Sequence, residues 1–320
     1  MAVREFDCLV IGDVILDIFL KGTNNYLPFL RGGTSYCESA KIEFGGAGNV
    51  AVGICSLGGK AAFIGKAGDD LWGRMYEKDL KANGVITDML FEKKTSTGLA
   101  FVNLQEGGER SFCVFRGAND WLSIDDVNKS IRLLNRSKYL YFSGYSLVAS
   151  PQRDATLHLV RLAKKHGTKV FFDPSAHNLV ESNFELFKEL LGICDVFCPN
   201  IDEAKAITRT FSVKAAVFEL QKTRKLVFLK GGEDGCFLIS ENTFVEIPGY
   251  SARCRDSTGA GDAFDAALVF GLVKDFPLGF VGQLANWFAS YAIRNIGARN
   301  YPKKKEINDF LARSRLANVS

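Results

Sequence analysis

Lys169-Val170-Phe171-Phe172-Asp173-Pro174 decides the class of this chain. Val170, Phe171 and Phe172 run together without polar alternation, as suits a strand covered on both faces, and the acid and proline that follow close it. The same pattern recurs at Leu9-Val10-Ile11, at Asp195-Val196-Phe197-Cys198 and at Leu226-Val227-Phe228-Leu229, each followed by turn residues and then a longer helical pattern. Short apolar strands alternating with helices predict an α/β fold with a mostly parallel central sheet. Ligands in such sheets bind beyond the carboxyl ends of the strands. The residues to examine are therefore Gly12-Asp13, Asp173-Pro174, Pro199-Asn200 and Lys230-Gly231-Gly232.

The chain has 320 residues, 47% apolar and 24% charged, with a formal charge of +4. Disordered and fibrous classes are excluded, and so weak a charge argues against nucleic acid or a membrane as partner. No linker-like or repeated segment divides the sequence, so residues 1–320 are read as one domain. Cys8 to Leu20 is interrupted by Asp13 and Asp17 and does not read as a leader or membrane segment. The eight cysteines lack the regular spacing of a disulfide framework and are read as buried free thiols of a cytoplasmic protein. Of the three histidines, His158 and His166 fall in a helical run entered at Ser150-Pro151 and stopped at Gly167. Acid/base chemistry is expected to fall to Asp or Glu.

Three glycine-rich segments follow apolar runs. Asp256-Ser257-Thr258-Gly259-Ala260-Gly261-Asp262-Ala263-Phe264 leads directly into an apolar helical stretch. Free amides at a helix N-terminus, with the positive end of its dipole, bind anions. Asp262 in that turn would stay ionised and accept a proton from a hydroxyl while the amides hold a phosphoryl group; the plainer alternative is an ordinary first turn with a stabilising acid. Phe44-Gly45-Gly46-Ala47-Gly48-Asn49-Val50-Ala51 contains Gly46-x-Gly48-x-x-Ala51, a weak dinucleotide fingerprint with Asp69 and Asp70 downstream. It equally suits a backbone platform for a polyhydroxylated ligand, with the Asn49 amide as donor and acceptor. Lys230-Gly231-Gly232-Glu233-Asp234-Gly235 is either a hairpin turn or a loop along a nucleotide; a Walker loop is missing. Leu99–Leu104 and Arg110–Phe115 flank Glu106-Gly107-Gly108-Glu109 as a hairpin, either a lid or an edge hairpin that only packs.

Together these residues resemble the ribokinase-like (PfkB) family of carbohydrate and nucleoside kinases over nearly the whole chain. Gly45-Gly46-Ala47-Gly48-Asn49-Val50-Ala51 is similar to the family's amino-terminal signature. Asp256-Ser257-Thr258-Gly259-Ala260-Gly261-Asp262 is similar to the carboxyl-terminal one, with Ser257 where many members carry Thr or Val. The resemblance implies an αβα sandwich with a small β-lid, its elements around residues 13–45 and 95–118, and ATP and Mg²⁺ as cofactors. It implies Asp262 as catalytic base and an anion hole at Gly259, Ala260 and Gly261. Asp17, ahead of Asp13, would grip sugar hydroxyls beside Gly45, Gly46 and Asn49. Asn200-Ile201-Asp202-Glu203 is similar to a family motif in which Asn200 approaches the phosphates and Glu203 orders Mg²⁺ through water; otherwise Glu203 is a first-turn helix acid. Lys230, Gly232, Gly235 and Thr258 would lie along the nucleotide, with Asn286 near the adenine. Carbonyls around Asp256 and Thr258 leave K⁺ open.

The implied activity is ATP-dependent phosphorylation of a primary hydroxyl of a small sugar: a ketohexose such as fructose, a pentose such as ribose, or a sugar acid such as 2-keto-3-deoxygluconate. A nucleoside kinase, a dinucleotide-dependent oxidoreductase and a silent sugar-binding relative are the alternatives. Arg116 either pairs with an acidic group on the substrate or is an exposed strand-end arginine. Phe101, Val102, Phe112, Val114 and Phe115 make the hairpin apolar on both faces, pointing to a homodimer through the lid.

Overall fold

The computed structural model describes residues 4–22, 34, 36–104 and 110–317. Its strands are β1 (Phe6–Ile11), β2 (Val14–Gly22), β3 (Cys37–Gly46), β4 (Ala61–Ile64), β5 (Lys66–Gly68), β6 (Ile86–Thr87), β7 (Leu90–Glu92), β8 (Gly98–Leu104), β9 (Arg110–Phe115), β10 (Ser137–Ser143), β11 (Lys169–Asp173), β12 (Val196–Phe197), β13 (Leu226–Lys230), β14 (Cys236–Ser240) and β15 (Thr243–Ile247). Nine of them form the central sheet in the order β15-β14-β13-β12-β11-β10-β1-β4-β6. Every pairing from β13 across to β6 is parallel, and only the β13–β14 and β14–β15 pairings, at one edge, are antiparallel.

Successive residues of the parallel strands enter different cores, the twofold alternation of a strand buried on both sides. Cys8, Val10 and Phe171 join one core with Val50, Ala51, Ala266, Leu268 and Phe288. Leu9, Ile11 and Phe172 join the other with Leu159, Leu190 and Leu220. The result is an αβα sandwich. Phe172 anchors the second core, with ring centroids 4.8 Å from Phe142, 5.4 Å from Phe187 and 5.6 Å from Phe197.

The helix Ala260–Val273 is buried at every position from Ala263 to Gly271, so its axis is fixed by neighbours on all sides. Gly53 of the helix Gly48–Ser56 has no room for a Cβ against Ala266, and Gly271 packs on Val281 of the helix Leu278–Ala292. Small residues let these axes approach, and the N-terminus of Ala260–Val273 is thereby held where the strands end.

A four-stranded sheet, β3-β2-β8-β9, stands apart from the sandwich and is built from the two segments named above as lid elements. The hairpin strands pair antiparallel from Leu99↔Phe115 to Leu104↔Arg110; the turn through Glu106-Gly107-Gly108-Glu109 lies outside the described residues. The chain leaves the central sheet after β1 and enters this one after only Gly12-Asp13. Buried Asn119 clamps the crossing: its Oδ1 accepts from the Val14 N–H at 2.7 Å, and its Nδ2 donates to the Val14 carbonyl at 3.0 Å. The return, Gly46-Ala47-Gly48, is pinned by the Ala47 N–H on the Asp13 carbonyl. β5 and β7 form a small separate parallel pair.

Two expectations are corrected here. The helix carrying His158 spans Gln152–Lys165, so Pro151 rather than Ser150 is its N-cap and His166 lies just past its end; the two histidines pair with Asn128 and Asn135. All eight thiols are free, but only Cys8, Cys194, Cys198 and Cys236 are buried; Cys55 is half-buried. Cys37 and Cys113 are exposed on strands of the second sheet, and Cys254 is exposed in the loop before Asp256.

Candidate active site

One large cleft, about 1190 Å³, runs between the ends of the parallel strands and the second sheet. Such a volume exceeds what a single small sugar fills. Asp13, Ser143, Asp173, Asn200 and Lys230, each at or just past a strand's carboxyl end, line its floor. On the roof, Asp13, Ile15 and Asp17 from the β1–β2 crossing, Ala100 from β8, and Phe112 and Val114 from β9 share the inward face by strand alternation. The far wall is the Lys230-to-Gly235 loop, the stretch Gly249–Ala252, Cys254, and Asn286, Ala289, Ser290 and Ile293.

Asp262 sits in the first turn of Ala260–Val273. Its Oδ2 accepts from Asn49 Nδ2 at 2.9 Å, and both residues line the same cleft as Asp17. Burial, with the negative charge of Asp173 nearby, pushes its carboxyl up to about 6, against the Asn49 hydrogen bond and the charges of Lys230 and Arg299. Gly259 adopts a left-handed conformation at φ 75°, the turn that swings Gly259-Ala260-Gly261 into the cleft, and the backbone of Ala298 leaves no room for a side chain there. Within the expected anion hole, the Ala260 N–H already closes a turn on the Ser257 carbonyl at 3.3 Å.

Lys230 lies opposite that turn; a Cβ on Gly261 would sit 3.8 Å from its Nζ. Nζ donates to Asp173 Oδ2 at 2.8 Å and stands 3.7 Å from Asp265 Oδ1. Burial alone would raise Asp173, but the Lys230 charge reverses this and holds the carboxyl below its usual range. Asp265, wholly buried one turn beyond Asp262, is pushed well above by burial and by Asp173. Its Oδ2 accepts from the Tyr141 hydroxyl at 3.0 Å. Asp265 and Tyr141 were missed in the sequence; a lone acid inside Ala263-Phe264-Asp265-Ala266-Ala267 was the available signal.

Asn200 and Glu203 reach the cleft wall, and they also cap the helix Ile201–Thr208: Asn200 Oδ1 accepts from the Glu203 N–H at 2.9 Å, and Glu203 Oε2 accepts from the Asn200 N–H at 2.8 Å. The first-turn reading of Glu203 and its place in the cleft both hold. Burial, then the charge of Asp173, pushes its carboxyl up to about 7.

Several expected contacts are relocated. Arg116 lines the cleft but is neither an exposed strand end nor free for a substrate acid: it forks onto Asp13 at 2.8 and 3.2 Å, reaches Asp120 at 2.6 Å and donates to Gln152. Asp13 is thereby committed to Arg116 and Gln152, and Asp17 is the second carboxylate on the roof. Gly45 does not line the cleft; its carbonyl accepts from the Tyr76 hydroxyl at 2.6 Å, and its missing side chain makes room for the Asp17 carboxylate, while Gly46 does face inward. Asn286 spends its amide donors on the Ile247 and Pro248 carbonyls, both at 3.0 Å, and so shapes the loop against which a base would lie. Asp256 is behind the surface: Oδ1 accepts from the Thr258 N–H and hydroxyl, and Oδ2 from the Gly297 N–H. Gly232 (φ 67°) and Gly235 (φ 99°) form the β13–β14 hairpin turn and also line the cleft.

Gly46-x-Gly48-x-x-Ala51 follows β3 of the second sheet, not the first strand of the parallel sheet that a dinucleotide crevice requires. The acids downstream are occupied: Asp70 caps the helix Leu71–Ala82 and accepts from Thr97, and Asp69 pairs with Arg74. Among the described residues no histidine lines the cleft, no cluster of three metal-ligating side chains occurs, and no helix is long and apolar enough to cross a membrane.

Residues 6–305 match the family model described as pfkB family carbohydrate kinase. Fructokinase-1 of Oryza sativa subsp. japonica is 33% identical over 285 residues, 86% of this chain and 85% of that protein. Fructokinase-1 of Zea mays is 35% identical over 244 residues, 73% of this chain and 75% of that protein. Among solved structures, adenosine kinase from Sinorhizobium meliloti superposes with a TM-score of 0.84 at 28% identity, covering 98% of this chain and 99% of that one. A cleft at the strand ends, two glycine-rich turns meeting across it through Asn49 and Asp262, and a match over nearly the whole length agree: the chain belongs to the pfkB family of carbohydrate kinases.

Proposed function

We propose that this sugar kinase phosphorylates a primary hydroxyl of a ketohexose, fructose before others, with Asp262 as general base. The observation that carries this reading is the Asn49–Asp262 hydrogen bond, which puts an acid in the first turn of Ala260–Val273 within the same cleft as Asp17. Asp262 takes the hydroxyl proton, the hydroxyl oxygen bonds to the γ-phosphorus, and the bond from that phosphorus to the β–γ bridging oxygen breaks, releasing ADP. The amides of Gly259 and Gly261 and the Lys230 ammonium lie where negative charge builds on the transferring group. Asp17 accepts two sugar hydroxyls. The nucleotide runs along Lys230, Gly232, Gly235 and Thr258, with its base over the loop that Asn286 fixes.

Magnesium keeps several waters and takes few protein carboxylates, so the Asn200–Glu203 corner fits it without a cluster of ligands. When bound it neutralises phosphate charge. The fructokinase relatives support the ketohexose; the adenosine kinase likeness, with Phe112 and Val114 on the roof, supports a nucleoside as the second reading. The outer face of the second sheet presents Ile42, Phe101 and Phe115, 48%, 39% and 49% exposed, which supports pairing with a second copy through the lid. Free thiols support a reducing cytoplasm.

Release of ADP measured across fructose, ribose, 2-keto-3-deoxygluconate, tagatose 6-phosphate and adenosine tests the reading. Fructose is expected to give the highest kcat/KM, and preferential turnover of adenosine would overturn the acceptor assignment. Asp17→Ala is expected to weaken sugar binding by about 10²-fold or more, the loss of charge-assisted hydrogen bonds, while leaving ATP affinity within a few fold. Calorimetric titration of each ligand separates this from misfolding, which would weaken both.

A further inference from the structure

We infer that Arg299 is a positioning residue for the reaction, setting the orientation of the Asn49 amide and through it the aim of Asp262. The inference rests on the reading of Asp262 as base. Arg299 does not line the cleft. Its Nε donates to Asn49 Oδ1 at 2.7 Å, and Asn49 Nδ2 donates in turn to Asp262 Oδ2 at 2.9 Å. A guanidinium carries only donors and an ionised carboxylate only acceptors. The amide between them therefore has one workable orientation: reversed, it would set N–H against N–H at one end and C=O against a carboxylate at the other. With Oδ2 of Asp262 so engaged, Oδ1 is the oxygen left to take the hydroxyl proton.

Both ends of this relay are anchored. Arg299 pairs with Asp79 at its far side, and its guanidinium lies 5.9 Å from the Phe44 ring centroid and 6.0 Å from that of Tyr76. The Tyr301 hydroxyl donates to the Asn49 main-chain carbonyl at 2.9 Å, fixing the backbone from which the amide projects. Asn49 itself is 2% exposed, so no bulk water competes for its amide.

The charged and titratable groups around Asp262 are Asp173 and Lys230 from the strand ends, Tyr141 from β10, Asp265 on its own helix, and Arg299 and Tyr301 from the C-terminal segment. Without the guanidinium, one of the positive charges that hold Asp262 down is lost and the Asn49 N–H is free to swing away. Both changes favour the protonated acid, so the acid limb of the rate moves to higher pH.

The test uses the full-length protein, ATP with Mg²⁺, and the acceptor that gives the highest ADP release in the screen above, fructose expected. Arg299→Lys keeps a cation for Asp79 but cannot fork between Asp79 and Asn49. It is expected to lower kcat roughly 10- to 100-fold, as a misaimed reacting group does, with KM for ATP within about twofold and the acid limb of kcat/KM shifted upward. In an Asn49→Ala background the same substitution is expected to cost less than about twofold more, since the relay is already cut. Arg299→Met is the harsher variant, and should it fail to fold, the lysine variant still decides. A wild-type kcat and acid limb in Arg299→Lys, or a loss that simply multiplies that of Asn49→Ala, overturns the proposal. Full turnover by Asp262→Asn would overturn the assignment of the base, and this inference with it. An inactive Asp262→Asn beside an additive Arg299→Lys would sink the positioning role alone.

Discussion

Asp262→Asn is expected to reduce kcat by about 10²–10⁴-fold, the contribution of a positioned base, with ATP affinity unchanged within a few fold. The substitution keeps the shape of the side chain, and its carbonyl oxygen can still accept from Asn49 Nδ2, so the loss isolates proton transfer from packing. The wild-type rate carries the complementary signature. Burial and Asp173 push the Asp262 carboxyl up to about 6, so with Asp262 as the base kcat/KM is expected to fall as pH drops through that value, and the limb to vanish in the variant's residual rate. The stability consequence has the opposite sense. An acid whose folded value is raised contributes stability that is full below its unfolded value and lost as pH rises through about 6. The asparagine variant lacks that loss and is expected to melt no lower than the wild type at pH 8. A pH–rate profile and thermal denaturation at pH 5 and 8 check both; a wild-type turnover would remove Asp262 from the mechanism, and a much lower melting temperature would mark the residue as structural.

The fold was legible because its strands announce themselves. Val170-Phe171-Phe172 and Val227-Phe228-Leu229 have no polar alternation, and in the structure neighbouring residues of each run lie in opposite cores. The strand-end rule then located Asp13, Asp173, Asn200 and Lys230, all of which line the cleft. What the rule does not supply is which polar groups face the ligand and which spend their bonds on the protein. Arg116 looked free because Asp13, Asp120 and Gln152 are 103, 4 and 36 residues away and only the tertiary fold gathers them. Asn286 and Asp256 were drawn toward ligands for the same reason, whereas their bonds go to carbonyls and amides of neighbouring loops. Arg299 carried no local signal at all. It lies in an irregular stretch after the helix Leu278–Ala292, and its partners Asn49 and Asp79 are 250 and 220 residues distant.

Lys230→Met is expected to be the most damaging single change to stability. Lys230 is the cation between Asp173, at 2.8 Å, and Asp265, at 3.7 Å, and Asp265 is wholly buried. Removing one partner of a buried ion pair costs about 3–5 kcal/mol, because the charge left behind is neither hydrated nor matched. The pH dependence identifies the cause. In the wild type Asp173 is held below its usual range, so its contribution is present above the unfolded value and lost as pH falls through the folded one. In the variant the lysine charge is gone and burial, the largest cause acting on Asp173, is opposed only by the hydrogen bonds from Asp265 and the Ser175 N–H; the carboxyl rises, and stability is greatest below the unfolded value and declines as pH rises. The difference in melting temperature between wild type and variant is therefore expected to widen from pH 5 to pH 8. Adding Asp173→Asn removes the carboxylate that has lost its partner and is expected to restore much of the stability. It is not expected to restore turnover, because on the proposed mechanism the ammonium that faces the Gly261 turn is still missing. Recovery of activity along with stability in the double variant would mean that Lys230 serves only to balance its acidic neighbours and has no part in holding the phosphoryl group.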